Sequence, residues 1–227
     1  MLIQEYMTPD PVVIDENTTI MDAAQQMKEK KVRRFPVVRD GRLIGIVTDR
    51  DLRSAAPSQV LSFDECERQL LPELHKLLSS VKIKDIMSRQ VITVAPDQSI
   101  VMAAHLMLKN RISGMPVVDA AGRLVGIITQ TDVFRILIDF SGIQHGRTTF
   151  GVEIEDRPGS IKEVADVIRE HDGRLASILT TYDRAQPQHR RVYLRVRDLP
   201  EAKLALMEKA LAARFSLLYV IRDDLEA

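Results

Sequence analysis

The residues in this sequence that are best suited to ligand chemistry are a threonine and an aspartate that occur together twice. Thr48 and Asp51 follow one short apolar run, and Thr129 and Asp132 follow a similar run 81 residues later. A threonine hydroxyl can bond to a phosphate or sugar oxygen, and a carboxylate can accept hydrogen bonds from two ribose hydroxyls. The same two residue types also cap helices. The duplication favours a binding site over capping alone.

Each pair lies where a buried strand is expected to turn into a helix. A helix N-terminus presents free backbone N–H groups and the positive end of the helix dipole, which together favour phosphate. The helices are predicted from Leu52 onward and over Val133–Ile138. The strand before each threonine should end at this phosphate-favouring position.

The two motifs belong to a longer repeat, in which residues 3–52 align with residues 83–133. Strand candidates at 12–14 and 91–94 open the copies, and Asp40-Gly41 is a hairpin signal in the first. Between the strand candidate and the hairpin, each copy has apolar residues at helical spacing. These residues are Ile20, Ala23, Ala24 and Met27 in one copy and Ile100, Ala103, Ala104 and Met107 in the other. The order strand–helix–strand–strand–helix predicts a pseudo-symmetric pair of α/β units.

The doubled Gly-hydrophobe-hydrophobe-Thr-x-x-Asp, with a Pro-Val-Val strand upstream, resembles the cystathionine-β-synthase (CBS) domain pair across residues 1–139. The resemblance implies a pseudo-twofold disc with two clefts that bind AMP, ADP or ATP as a regulatory signal, or an S-adenosylmethionine or NAD-type ligand. Adenine is expected against the strands that precede the motifs. The implied residues are Val13, Ile14, Arg34, Phe35, Pro36, Thr48, Arg50 and Asp51 in one cleft, and Thr93, Val94, Met115, Pro116, Thr129 and Asp132 in the other.

The first motif has more arginine near it than the second. Arg34 and Arg50 lie close to it in sequence, whereas Gly114 and Thr131 hold the matching places in the second copy. Charge-assisted phosphate contacts predict that the first cleft prefers ligands with more phosphates. Two alternatives remain, namely that these arginines point to solvent or that pseudo-symmetry lends them to the opposite cleft.

A different pattern occupies residues 147–224. Alternating and helical periods there give the order βαββαβ, a ferredoxin-like antiparallel sheet with helices on one face. With its Asp-Arg-Pro-Gly turn, this unit resembles an ACT domain, which implies dimerisation through sheet edges and an amino acid bound beside the turn. The implied ligand residues are Asp156, Pro158, Gly159, Ser160 and Ile161. The fold class is therefore α/β (α+β): a CBS pair, then an ACT domain.

Composition and cysteine content narrow the function classes. Lys+Arg and Asp+Glu are both 32, so the broad basic surface of a nucleic-acid-binding protein is not expected. Cys66 has no second cysteine for a disulfide or zinc site, and the five histidines, His75 among them, are scattered. Neither a signal peptide nor a membrane span is apparent, so a cytoplasmic location is expected. We found no catalytic motif and predict that the protein is not an enzyme.

The expected organisation is CBS repeat one at 1–59, a helical insertion at 60–80, CBS repeat two at 81–139 and the ACT domain at 147–224. A CBS pair followed by an ACT domain resembles the acetoin-utilisation protein B type of bacterial regulator. The leading hypothesis is an adenine-nucleotide sensor, at least dimeric, that signals to an unidentified protein target. An oligomerisation scaffold without nucleotide is the alternative, and a basic patch at 28–34 leaves nucleic-acid binding as a third.

Overall fold

The computed structural model describes residues 1–55 and 80–223. The predicted helical insertion, apart from its last residue, lies outside these ranges, as do Cys66 and His75. The chain divides into two compact units, Met1–Val133 and Phe134–Ala227. The predicted domain boundaries remain predictions.

The first unit contains both repeats. In repeat one, the elements are a 3-10 helix (Ile3–Glu5), β1 (Thr8–Pro9), α1 (Ile20–Lys30), β2 (Arg34–Arg39), β3 (Arg42–Thr48) and α2 (Asp49–Ala55). In repeat two, they are α3 (Ile83–Ile86), α4 (Ile100–Asn110), β4 (Gly114–Val118), β5 (Leu124–Thr129) and α5 (Gln130–Ser141), which extends into the second unit. The strand candidates at 12–14 and 91–94 are wrong as extended strands, because only Ile14 and Val94 pair, each through one isolated bridge.

Matching local signals build the two repeats. Thr19 and Ser99 cap α1 and α4, and each side chain accepts a hydrogen bond from a backbone N–H three residues on. The predicted hairpin turn joins β2 to β3, where Asp40 and Gly41 have φ of 50° and 74°. These values suit the twist of an antiparallel hairpin, so the turn fixes the register that brings Thr48 opposite Arg34.

Each repeat contributes a short backbone segment that pairs with the hairpin of the other repeat. β1, near the start of repeat one, pairs with β5 of repeat two through Thr8 and Ile127. In the opposite direction, Ser88 of repeat two forms an antiparallel bridge with Ile46 in β3. Each hairpin is thus extended by a segment of the other copy, which holds the two motifs in a fixed relation.

The second unit confirms the βαββαβ order. Its elements are β6 (Thr148–Glu155), α6 (Ser160–Glu170), β7 (Leu175–Thr181), β8 (His189–Val196), α7 (Glu201–Arg214) and β9 (Ser216–Arg222). The four strands form an antiparallel sheet in the order β7-β8-β6-β9. Apolar side chains of the sheet and both helices form its core, among them Phe150, Val152, Val164, Ile168, Leu194, Met207 and Leu211.

Candidate functional site

The first motif forms a reciprocal cap at the start of α2. The hydroxyl of Thr48 donates to Oδ2 of Asp51 at 2.7 Å, and the Thr48 backbone N–H donates to the same oxygen at 2.8 Å. The Asp51 N–H donates back to the Thr48 hydroxyl oxygen at 3.3 Å. This is a capping box, so the helix begins at Asp49 and not at the predicted Leu52.

The second motif repeats this geometry. Thr129 donates to Oδ2 of Asp132 from its hydroxyl at 2.7 Å and from its backbone N–H at 2.8 Å. The Asp132 N–H donates to the Thr129 hydroxyl oxygen at 3.4 Å. Here too the helix begins earlier than predicted, at Gln130, and it continues to Ser141. Capping and a role in ligand binding are therefore compatible, because each threonine bonds to a single oxygen, Oδ2, of its carboxylate.

The two carboxylates differ in exposure. Asp132 is 8% exposed, whereas Asp51 is half-buried. Within the described chain, the hydrogen bonds that the Asp51 carboxylate accepts both reach Oδ2, which leaves Oδ1 able to accept from a sugar hydroxyl. A ligand hydroxyl would meet a more accessible carboxylate at the first motif.

The residues expected to contact adenine divide into buried and accessible groups. In repeat one, Phe35 is fully buried and Ile14 is 4% exposed, but Val13 is 39% exposed. The Ile14 N–H donates to the Pro36 carbonyl at 3.1 Å, so these two backbone groups are already paired. Val13 is thus the member of this set with substantial exposed surface.

Repeat two has the same division. Met115 is fully buried, Val94 is 2% exposed, and Thr93 is half-buried. The Val94 N–H donates to the Pro116 carbonyl at 3.2 Å. The two walls are therefore built alike, with a buried layer beneath a valine at one motif and a threonine at the other.

The two arginines expected near the first motif lie in different surroundings. Arg50 is exposed on α2. The Nη2 of Arg34, by contrast, donates to the hydroxyl of Ser113 at 2.7 Å, so its guanidinium lies beside the second repeat. The structure agrees with the alternative in which pseudo-symmetry places a cation at the opposite motif.

The turn expected to bind an amino acid is held by local contacts. Gly159 has φ of 88°, a conformation that favours glycine, and the buried Ser160 hydroxyl donates to the Arg157 carbonyl at 2.9 Å. Pro158 is exposed, and Ile161 packs against the core of the second unit.

Asp156 of the same turn forms an ion pair of 2.7 Å with Arg190, a residue that the sequence analysis did not single out. Arg190 lies on β8, and only the strand register, which pairs it with Ile154, brings it to the turn. No local sequence signal identifies such a contact.

The surface away from the predicted site residues includes a polar depression. A depression of about 520 Å³ is lined by polar residues of α1 and its approach, and it contains none of the predicted site residues. In residues 1–55 and 80–223, no group of three or more His, Cys, Asp or Glu side chains is placed to hold a metal ion. None of the helices in those ranges is long and apolar enough to cross a membrane.

Comparison with protein families supports the duplicated arrangement. The family model described as the CBS domain matches twice, over residues 3–58 and 83–139. A CBS domain-containing protein of Dictyostelium discoideum is 35% identical over 139 residues, which cover 61% of this chain and 92% of that protein. These matches leave most of the second unit uncovered.

Two solved structures resemble the same part of the chain. CBSX2 of Arabidopsis thaliana in complex with AMP is 29% identical with a TM-score of 0.50, covering 62% of this chain and 98% of that one. A Vibrio cholerae protein described as an acetoin utilization protein (AcuB) is 30% identical with a TM-score of 0.50, covering 63% and 95%.

Proposed function

This chain belongs to the CBS-domain family, and on that premise we propose that it is a regulatory protein that senses adenine nucleotides through its two Thr-x-x-Asp motifs. The observation that carries the proposal is the repetition of one hydrogen-bond geometry at two strand ends, with Thr48 and Thr129 bonded alike to their aspartates. The likeness to CBSX2, solved with AMP, supports an adenine nucleotide as the ligand.

The proposed binding mode follows from accessibility. Asp51 and Asp132 accept hydrogen bonds from ribose hydroxyls, and the helix starts next to them receive the phosphate. Adenine lies against Val13 in one cleft and Thr93 in the other, with the buried residues beneath as a rigid floor. Because the Ile14 N–H is engaged by the Pro36 carbonyl, backbone groups one residue earlier read the base edge.

Calorimetric titration with ATP, ADP, AMP, NAD and S-adenosylmethionine tests this function. At least one ligand should bind below millimolar, and the double variant Asp51→Ala/Asp132→Ala should weaken that binding about tenfold or more, since a charge-assisted hydrogen bond contributes about 1.5–3 kcal/mol. If no ligand of the panel binds, the chain is better explained as an oligomerisation scaffold.

For the second unit we propose dimerisation and sensing of a small metabolite. Its sheet has edge strands β7 and β9, and an open edge offers unpaired backbone groups to a second copy. An amino acid at the 156–161 turn would meet the Asp156–Arg190 pair, whose two charges match an ammonium and a carboxylate. Light scattering should give at least a dimer, and a monomer at micromolar concentration contradicts this part.

A further inference from the structure

Arg34 is a cationic side chain that extends from the first repeat to the second motif. Its backbone lies opposite Thr48 in the β2–β3 pair, beside the first motif. Its guanidinium nevertheless bonds to the hydroxyl of Ser113, whose carbonyl accepts the N–H of Gln130 at the start of α5. The positive charge therefore lies next to the helix start that carries Asp132.

Gly114 makes room for this side chain. A Cβ added at Gly114 would lie 1.9 Å from Nη1 of Arg34, which is far inside contact distance. Gly114 is paired with Thr129 in β4–β5, and it holds the place in repeat two that Arg34 holds in repeat one. The two repeats thus share one guanidinium where exact symmetry would supply two.

Arg34 combines partial burial with the lack of a carboxylate partner among the described residues. The side chain is half-buried, yet within residues 1–55 and 80–223 it forms no ion pair, and its hydrogen bond goes to a neutral hydroxyl. Several other arginines of the described chain do pair with a carboxylate: Arg39, Arg53, Arg123, Arg157, Arg190, Arg191 and Arg195. A partly buried cation without such a partner favours an added anion.

The surroundings of the guanidinium are consistent with this reading. Burial lowers the pKa of Arg34 from its ordinary value, while the carboxylate of Asp49, followed by that of Asp132, acts to raise it. The guanidinium remains charged at neutral pH, because arginine does not lose its proton in proteins. Because the Ser113 that accepts from the guanidinium also accepts the N–H of Gln130, the cation lies at the helix start that carries Asp132.

We propose that Arg34 is the residue that makes the second cleft, built on Thr129 and Asp132, selective for phosphate-bearing ligands. This inference rests on the proposed nucleotide function. Asp132 takes the ribose hydroxyls and Arg34 takes the phosphate. Gly114 offers no cation in return, so the first cleft accepts less charged adenosyl ligands. The preference runs opposite to the one expected from arginine positions in the sequence.

Titration of AMP and adenosine into Arg34→Gln, made in two backgrounds, tests the assignment. In Asp51→Ala, which retains the second motif, Arg34→Gln should weaken AMP about tenfold or more while adenosine changes less than about twofold. In Asp132→Ala, which retains the first motif, it should change neither ligand. A loss of AMP binding confined to the Asp132→Ala background would overturn the assignment.

Two matched variants distinguish the position of the Arg34 guanidinium from the net charge of the protein. Gly114→Ala keeps the arginine but displaces its guanidinium, so it should reproduce the AMP loss with adenosine binding retained. Arg33→Gln removes an exposed neighbouring charge and should leave AMP within about twofold. Thermal melting confirms that each variant is folded. An Arg33→Gln loss equal to that of Arg34→Gln would show a net-charge effect and overturn the inference.

Wild-type titration separates this inference from the proposed function. If the wild-type chain binds no adenine nucleotide, both fail. If it binds AMP and Arg34→Gln leaves that binding intact in both backgrounds, only the role of Arg34 fails.

Discussion

The two repeats are built with the same backbone devices but display different side chains. Both place a capping threonine–aspartate pair after a hairpin, yet the outer helix faces differ in character. Asp22 and Lys28 on α1 correspond to Met102 and Leu108 on α4, which are 44% and 76% exposed. Duplication has preserved what the fold requires, and it has left the outer surfaces and the Arg34–Gly114 position free to diverge.

The largest expected effects test the shared part of this comparison. Phe35 and Met115 are equivalent residues, and both are fully buried. Truncation to alanine should cost about 3–5 kcal/mol for Phe35→Ala and about 2–5 kcal/mol for Met115→Ala, because each leaves a cavity in a packed core. Urea unfolding measures both. A negligible cost at either position would mean that the residue does not have the same packing role in both repeats.

A smaller effect is expected at the motif caps. Asp51→Ala and Asp132→Ala each remove the two hydrogen bonds accepted from the motif threonine, and loss of a cap costs about 0.5–2 kcal/mol. Asp132→Ala should lie at the upper end because its carboxylate is the more buried one. Thermal unfolding measures the difference, and the Asp→Asn variants are controls that keep an acceptor. A larger cost at Asp51 would contradict the burial argument.

The sequence predicted the fold well because its signals are local. The Thr19 and Ser99 caps, the Asp40-Gly41 turn and the spacing of apolar residues each act within a few positions. The helices begin earlier than predicted, at Asp49 and Gln130, because Thr48 and Thr129 end their strands and also cap the helices that follow at once. The strand candidates at 12–14 and 91–94 are runs of β-branched residues, and such a run does not show how many of its residues find a pairing partner.

The candidate site was less predictable because it depends on contacts between distant segments. The Thr-x-x-Asp motif was visible, but the guanidinium of Arg34 reaches Ser113, 79 residues away, through the packing of one repeat against the other. Arg190 reaches Asp156 through strand register. The residues next to these side chains in the sequence give no sign of either contact. Both contacts are therefore identified only in the three-dimensional structure.

A comparable pair of small effects is expected at the first caps of the two long helices. Thr19→Ala and Ser99→Ala each remove an oxygen that accepts a backbone N–H, at 3.1 Å and 3.2 Å respectively, and each should cost about 1 kcal/mol. Thr19 also donates to the Asp22 carboxylate, a contact without a counterpart at Met102, so its loss should be slightly the larger. Equal chemical-denaturation midpoints would show that the additional contact contributes nothing.

The smallest expected difference lies in the hairpin loops and depends on pH. In repeat two, Asp119 accepts hydrogen bonds from the backbone and guanidinium of Arg123 and from the N–H of Ala121, whereas repeat one has Arg39 at this place. The backbone bond from Arg123, followed by its guanidinium bond, lowers the pKa of Asp119 from its ordinary value.

Because this pKa is lower in the folded than in the unfolded chain, the stabilisation by Asp119 is complete above the unfolded value of about 4 and is lost as the pH falls through the folded value. Thermal unfolding followed from about pH 5 downward should therefore show a slightly steeper loss in wild type than in Asp119→Asn, which cannot ionise. If Asp119→Asn and wild type lose stability in parallel, the loop carboxylate is not a pH-dependent difference between the two repeats.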